Sequence, residues 1–220
     1  YIFIKEDTML KIENVITPSH EWMVAVARGM RNSYESYEKM DTDIIASDSV
    51  FGPLDWELAR KLVKAGPSHA KFMRMIPVIF DISAPLYWWK EMDTYKIGTV
   101  RNSCSTMHKI TSKEFTFEDF SYPFNNYYPH FDQMFIDTID ILNACRKQYV
   151  KEKDSVRKKE IWNFMIAFLP SSYNQISTMT MSYAVLSNIY AQRKNHKLTE
   201  WHQFCHWIET LPMHELITGE

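Results

Sequence analysis

Apolar and polar residues alternate with two different periods along the 220-residue chain. β-Branched and apolar residues that alternate with polar ones predict strands over 9–16 and 75–82. Apolar residues that recur three and four positions apart predict helices, each with one face toward a core. The predicted helices span 20–37, 56–66, 85–93, 132–153, 154–168, 179–193 and 199–210. This order of elements predicts an α+β fold, in which a small sheet is flanked by several long helices.

Residues that start and stop helices support several of these boundaries. Asp55 and Asp154 precede segments with helical periodicity, and each is predicted to cap a helix N-terminus with its carboxylate. Pro170 and Pro212 follow such segments, and proline cannot continue a helix. Residues 41–53 have no periodicity and are predicted to form a loop.

One aromatic segment interrupts the helical pattern. Residues 113–131 combine phenylalanine, tyrosine and asparagine with prolines, and they are predicted to form an insertion or lid loop. No internal repeat or low-complexity tract divides the rest of the chain. Residues 1–220 are therefore predicted to form a single domain.

Composition and charge narrow the possible functions. The chain is 45% hydrophobic and 15% aromatic, which is enough for a substantial core. Its net charge of −2 gives no basic field, so no nucleic-acid partner is expected. No apolar run approaches the roughly 18 residues of a membrane span, so no membrane partner is expected either. The three cysteines are odd in number and far apart, which predicts a reducing, cytoplasmic location.

The densest chemical signal is a polar strip, 94–106, that follows the predicted helix 85–93. Hydroxyl, amide and cationic side chains surround Gly98 in this strip. Such side chains bind phosphates, carbonyl oxygens and ring nitrogens, so the strip is a candidate ligand site. A solvated polar loop has the same composition, and this alternative stays open.

Other candidate groups lie outside the strip or have a second interpretation. Arg193 begins a basic cluster at the end of a predicted helix, where a cation either complements the helix dipole or binds a phosphate. Cys104 has His108 four residues later, so a thiolate nucleophile is one hypothesis. His202 and His206 have the spacing of zinc ligands, but no further ligand cluster completes a site, and no metal is expected.

The order of these segments resembles that of the flavin-dependent thymidylate synthases, the ThyX family. Residues 15–36 resemble the opening strand and helix of that family, and His69 follows Gly66 as in its Gly-His element. Thr94-Tyr95-Lys96 occupies the place of the family's Arg-His-Arg motif, of which only the last positive charge remains. Residues 169–201 resemble the last conserved block of the family.

The resemblance implies two overlapping sets of binding residues and assigns no catalytic side chain. The implied nucleotide-binding residues are Lys96, Arg101, Ser103, Cys104, Ser105 and Arg193. The implied cofactor-binding residues are His69, Tyr95, Lys96, Asn102 and Asn188.

The resemblance also implies an activity. Family members transfer a one-carbon unit from methylene-tetrahydrofolate to dUMP and reduce it through FAD with NADPH, in homotetramers whose sites are shared between subunits. The chain is thus expected to act on a pyrimidine nucleotide, dUMP or a related one. The alternative is a non-catalytic nucleotide-binding or structural oligomer of the same fold, which the missing Arg-His-Arg motif favours.

Overall fold

The computed structural model describes residues 10–42, 51–123 and 128–219. Parts of two predicted segments, the loop 41–53 and the insertion or lid loop 113–131, lie outside the described residues.

Four antiparallel strands form the sheet, in the order β1-β2-β4-β3. They are β1 (Lys11–Ile16), β2 (Pro77–Pro85), β3 (Thr99–Ser103) and β4 (Asn174–Ser182). The first two confirm the predicted strands; β1 begins two residues later than predicted, and β2 begins two and ends three residues later. Together with the helices, they confirm the predicted α+β class.

The α-helices of the described residues lie between and after these strands in the sequence. They are α1 (His20–Arg31), α2 (Pro53–Lys64), α3 (Leu86–Met92), α4 (Thr106–Lys109), α5 (Pro129–Lys151), α6 (Ser155–Phe168), α7 (Tyr183–Arg193), α8 (Thr199–Glu209) and α9 (Glu215–Thr218). Short 3₁₀ turns lie at Asn32–Tyr34, Tyr37–Lys39, Lys71–Met75 and Phe117–Asp119. None of these described helices is long and apolar enough to cross a membrane.

The predicted helix 179–193 was wrong in its first turn, because β4 extends to Ser182. Along β4, Ser177, Met179 and Met181 are buried. Ile176, before Ser177, and Thr178, between Ser177 and Met179, are exposed. This period of two places the methionines on the covered face of the sheet. Methionine and serine carry little strand propensity, so the pattern was read as helical.

The predicted cap of the second helix was also wrong. The helix begins earlier, with Gly52 at the N-cap and Pro53 at the first helical position, where its missing N–H is not needed. Asp55 lies inside the first turn, where its side chain is buried and bonded to Arg31 at 2.6 Å. By contrast, Asp154 caps α6 as predicted and accepts a hydrogen bond from the Arg157 amide at 2.9 Å.

The chain divides into two compact units. The first contains the described residues of 1–11, 83–92 and 102–177, and the second those of 12–82, 93–101 and 178–220.

The first unit has an aromatic core built around α5 and α6. Phe115 and Phe120 come from the segment that was predicted as an insertion or lid loop, and both are buried. Phe120 meets Phe135 of α5 edge to face, with ring centroids 5.3 Å apart. Phe115 and Phe120 therefore anchor this segment in the core, whereas Phe117, Tyr128 and Phe131 of the same segment are exposed. The buried cluster also includes Ile110, Ile139, Leu142 and Met165.

The second unit has its core between β2, α1, α7 and α8. Phe80 of β2 lies 4.5 Å from the ring of Trp207, measured between centroids. On the opposite face of β2, Asp81 accepts hydrogen bonds from Thr178 of β4 at 2.5 Å and from Asn14 of β1 at 2.7 Å. One carboxylate thus links three strands. The fully buried residues of this core include Met23, Val26, Val78, Ile82, Leu186, Ile189, Trp201, Phe204 and Ile208.

Candidate functional site

A cleft of about 570 Å³ in the second unit gathers much of the polar strip. Its volume is in the range of small-molecule sites. Residues from the last 3₁₀ turn before β2, from the strip, and from the start of α7 line it. They are Arg74, Thr94, Tyr95, Lys96, Ile97, Gly98, Ser182, Ala184, Val185 and Asn188. No carboxylate is among them, so the described lining is positive.

Gly98 shapes the wall of this cleft. Its φ of +77° is a conformation that residues with a Cβ rarely adopt. A Cβ at this position would also lie only 3.0 Å from Cγ2 of Val185. Glycine therefore lets the chain turn into β3 while Val185 of α7 lies close by.

Two cations from different segments face the cleft, and both are exposed. Lys96 belongs to the strip, whereas Arg74 belongs to the 3₁₀ turn Lys71–Met75. Neither is paired with a carboxylate of the described residues. Sequence reasoning missed Arg74, although one signal pointed to it: it is a cation inside an otherwise apolar stretch, 72–76, five positions after His69.

Tyr95 and Arg193 tie the strip to α7 and α8. The ring of Tyr95 is only 8% exposed and meets Trp201 edge to face at 6.1 Å. Nε of Arg193 donates to the Tyr95 hydroxyl at 2.8 Å, and the guanidinium carbon lies 4.6 Å above the centre of the Trp201 ring. Arg193 at the end of α7 thus packs against two aromatic side chains. Arg193 does not line the cleft.

The Tyr95 hydroxyl connects onward to Asn188. It donates to Oε1 of Gln192 at 3.1 Å, and Nε2 of Gln192 donates to Oδ1 of Asn188 at 2.8 Å. Gln192 and Asn188 are four residues apart, so they share one face of α7. Asn188 in turn lines the cleft.

His69 and Arg101 lie outside this cleft. His69 is exposed in the turn after α2, where its amide donates to the Gly66 carbonyl at 3.0 Å. Arg101 of β3 forms an ion pair with Asp93, with Nη1 and Oδ1 2.7 Å apart. The described contacts of Arg101 therefore stabilise the connection between α3 and β3.

Residues 102–106 of the strip belong to the first unit, where a second pocket has a volume of about 440 Å³. Ser103 and Ser105 line it, whereas Asn102 and Cys104 are exposed and do not. The strip thus supplies residues to two pockets, one in each unit. Beside the two serines, the lining consists of Leu86, Thr106, Met107, Ile166, Leu169 and Gln175.

Local hydrogen bonds organise this second pocket. Ser105 caps α4, and its Oγ lies 2.7 Å from Nδ1 of His108. Nε2 of Gln175 donates to the Cys104 carbonyl oxygen at 2.8 Å, which holds the end of the strip against β4. His108 thus contacts Ser105, and no described hydrogen bond joins it to the Cys104 thiol.

No group of three or more histidine, cysteine or acidic side chains suits a metal ion among the described residues. His202 and His206 make other contacts: Nε2 of His202 lies 2.5 Å from the His196 carbonyl oxygen, and Nδ1 of His206 lies 3.3 Å from a Glu209 carboxylate oxygen. Burial raises the pKa of Cys205 to about 11, so its thiol stays protonated.

Comparison with known proteins gives a result at the level of structure alone. No family model matches the sequence, and no curated protein matches it either. Thymidylate synthase X (ThyX) from Helicobacter pylori, with FAD and dUMP, has a TM-score of 0.66 at 14% identity, over 94% of each chain. The chain therefore has a ThyX-like fold.

Two more solved structures support the same fold. A second structure of the Helicobacter pylori ThyX complexed with FAD and dUMP has a TM-score of 0.61 at 13% identity, over 94% of this chain and 95% of that one. The UMP/dUMP methylase PolB from Streptomyces cacaoi, bound with 5-Br dUMP, has a TM-score of 0.60 at 13% identity, over 96% of this chain and 94% of that one. The resemblance predicted from the sequence is thus confirmed for the ThyX-like fold.

Proposed function

We propose that the chain binds a pyrimidine nucleotide and FAD and transfers a one-carbon unit to the pyrimidine ring. The observation that carries the proposal is the positive cleft, which Lys96 and Asn188 both line within a ThyX-like fold. The similar solved structures contain dUMP or 5-Br dUMP, which supports a uracil nucleotide as the substrate.

The cleft lining suits a phosphate group. Arg74 and Lys96 supply two positive charges from separate segments, and the hydroxyls of Thr94 and Ser182 lie among them. Lysine binds phosphate as a point charge, whereas arginine offers a fork of donors. In an Arg74–Lys96 pair, the arginine would therefore make most of the hydrogen bonds to a phosphate, on one side of it.

The residues present also suit a flavin. Ile97 is 94% exposed at the cleft and offers an apolar surface for a ring, and Asn188 lies beside it with its side-chain amide. A bound flavin would supply the redox chemistry that no protein side chain carries. In this proposal Tyr95 and Gln192 hold Asn188 in place, while Lys96 and Arg74 hold negative charge. NADPH and methylene-tetrahydrofolate are the proposed co-substrates.

Further parts of the proposal concern residues outside this cleft and the assembly. In a homotetramer whose sites are shared between subunits, four residues of the strip would reach the ligands: Asn102, Ser103, Cys104 and Ser105. Three further residues would support these four: His69, Arg101 and Arg193. A cytoplasmic location remains a prediction from the cysteine content.

One observation favours a second candidate function, a nucleotide-binding or structural oligomer without catalysis. Tyr95 stands in the middle of the place of the Arg-His-Arg motif, and its ring packs on Trp201 while its hydroxyl binds Arg193. A side chain used in this way holds elements together rather than contacting a cofactor. This candidate predicts nucleotide binding without a flavin and without turnover.

The test combines ligand binding with turnover. The visible absorbance of the purified protein reports bound flavin. A thermal-shift screen with FAD, dUMP, dCMP and folates reports binding, since a ligand at 100 times its dissociation constant adds about 2.7 kcal/mol to the free energy of unfolding. Mass spectrometry then follows methylation of the bound nucleotide with methylene-tetrahydrofolate and NADPH.

The three possible results separate the two candidates. FAD binding with formation of a methylated nucleotide supports the proposed enzyme. Nucleotide binding without FAD or turnover supports the non-catalytic oligomer. If neither nucleotides nor FAD stabilise the protein, both candidates are wrong.

A further inference from the structure

Four side chains of the second unit form a continuous chain of hydrogen bonds that ends in the cleft. Nε of Arg193 donates to Tyr95 at 2.8 Å, and the Tyr95 hydroxyl donates to Oε1 of Gln192 at 3.1 Å. Nε2 of Gln192 then donates to Oδ1 of Asn188 at 2.8 Å. Only the last residue and the tyrosine line the cleft.

Arg193 fixes the direction of this whole chain. A guanidinium group has five N–H donors and no acceptor, so Arg193 cannot accept a hydrogen bond from Tyr95. The single hydrogen of the Tyr95 hydroxyl must therefore go to Gln192, which meets it with its carbonyl oxygen. The amide nitrogen of Gln192 then faces Asn188, and only the carbonyl oxygen of Asn188 can accept from it.

We infer that Asn188 presents its NH₂ group to the cleft, and that the cleft therefore recognises a hydrogen-bond acceptor on a ligand ring. A ring carbonyl oxygen or an unprotonated ring nitrogen has this chemistry, and both a uracil base and the isoalloxazine ring of a flavin carry such groups. The identity of the ligand rests on the proposed function. Arg193, Tyr95 and Gln192 are positioning residues, since they act through Asn188.

The substitution Gln192→Glu tests the direction of the chain without changing a residue that lines the cleft. Both carboxylate oxygens accept, so Tyr95 donates to one of them and Asn188 must turn its NH₂ group toward the other. Asn188 then presents only its carbonyl oxygen to the ligand. The expected result is a 10- to 100-fold weaker affinity for the acceptor-bearing ligand, the scale of one hydrogen bond in a binding site.

Asn188→Asp should give a similar loss by a separate route, because a carboxylate at position 188 has no donor. Gln148→Glu makes the same change of charge on an exposed face of α5 in the first unit and should leave affinity within twofold. Deoxyuridine and riboflavin carry no phosphate, so using them excludes repulsion between phosphate and the new carboxylate as the cause of the loss.

Separate titrations of dUMP and FAD identify which ligand Asn188 contacts. A loss confined to dUMP and deoxyuridine assigns the amide to the pyrimidine, and a loss confined to FAD and riboflavin assigns it to the flavin. Unchanged affinity of Gln192→Glu for all four ligands, with a melting temperature near that of the wild type, overturns the inference.

A ligand-free measurement keeps the inference independent of the proposed function. NMR of side-chain amides labelled with ¹⁵N should show slower hydrogen exchange for the Gln192 NH₂ group, which donates to Asn188, than for the Asn188 NH₂ group. In Gln192→Glu, the Asn188 NH₂ group should become protected. If the wild type binds neither dUMP nor FAD, the proposed function fails, whereas a protected Asn188 NH₂ group in the wild type overturns the inference itself.

Discussion

Arg31 of α1 and Asp55 of α2 form a buried ion pair, with Nε and Oδ1 2.6 Å apart. The second oxygen of Asp55 accepts three more hydrogen bonds, from the Asp41 amide at 3.1 Å and from the Thr42 amide and hydroxyl at 2.9 and 2.6 Å. Asp41 in turn accepts from the amides of Leu54 and Asp55 at the start of α2. The pair therefore joins two helices to Asp41 and Thr42.

Asp55→Ala should destabilise the protein by about 3–5 kcal/mol, because it leaves a buried guanidinium without its partner. Urea denaturation measures this free energy of unfolding. Glu57→Ala on the same helix is the matched control: it breaks the exposed Glu57–Lys61 pair, which solvent screens, so stability should change little. Similar losses in the two variants would contradict the structural role of the buried pair.

The stability contributed by Asp55 should depend on pH. Burial favours the protonated acid, but the hydrogen bonds from Thr42, Arg31 and Asp41 outweigh it and lower the pKa of Asp55. A lowered folded-state pKa means that the contribution is complete above the unfolded-state pKa of about 3.9 and is lost as the pH falls below it. The stability difference between the wild type and Asp55→Asn should therefore narrow below about pH 4. A difference that stays constant from neutral to acidic pH would show that the charge of Asp55 does not matter.

Gly98→Ala should both destabilise the protein and disturb the cleft. Its positive φ alone costs a residue with a Cβ about 1–2 kcal/mol, and the new methyl group would press against Val185 at 3.0 Å. Gly219→Ala is the control, since Gly219 has a nearly equal φ of +80° and nothing within 4 Å of the added Cβ. Calorimetry should show the larger loss for Gly98→Ala, and ligand affinity should fall in that variant alone. Equal losses of stability and affinity in the two variants would mean that the Val185 side chain moves away from the added methyl group at no cost.

Arg74→Ala and Lys96→Ala should each weaken nucleotide binding by about 1.5–3 kcal/mol, the scale of a charge-assisted hydrogen bond. The effect should shrink at high salt, because both cations are exposed. Isothermal titration with dUMP measures it, and Lys64→Ala on the exposed face of α2 is the control for a lost positive charge. Unchanged affinity in both cleft variants would place the phosphate elsewhere.

Cys104→Ser should leave stability, ligand binding and any activity unchanged. The thiol is exposed, and the described hydrogen bonds at this position use the backbone amide and carbonyl of Cys104, which serine retains. Surface changes of this kind stay within about 0.5 kcal/mol. Detection by mass spectrometry of a covalent nucleotide adduct on Cys104, with activity lost in the serine variant, would instead establish a thiolate nucleophile.

Elements with strong local signals were predictable from the sequence. The helix from Ser155 onward follows a capping aspartate and stops before Pro170, and both signals act within one turn. By contrast, β3 was read only as a polar strip, because Thr99–Ser103 is held in the sheet by pairing with distant β4 rather than by its own propensity. The fold class survived these errors because it depends on the order of elements and not on each boundary.

The candidate site was predictable in part. Lys96 and Asn188, which are far apart in sequence, line one cleft, whereas His69, which was expected beside them, lies outside it. Arg74 was missed because a 3₁₀ turn has no periodicity that shows which face a side chain occupies. The contact of Arg193 with Tyr95 was also missed, since a cation at a helix end has several possible partners and only tertiary packing selects one.

The strand order has a consequence for how the chain folds during synthesis. Asp81 of β2 and Thr178 of β4 bond across neighbouring strands, although 97 residues separate them. The ribosome adds about 5–20 residues per second, so β2 is synthesised roughly 5–20 s before β4, its neighbour in the sheet. During that interval the edge of β2 that later pairs with β4 has no partner, and its apolar side chains Phe80 and Ile82 are uncovered. Other chains can pair with such an open edge. The nascent chain is thus most vulnerable to aggregation in this interval, and a chaperone that binds extended apolar segments would protect it at that stage.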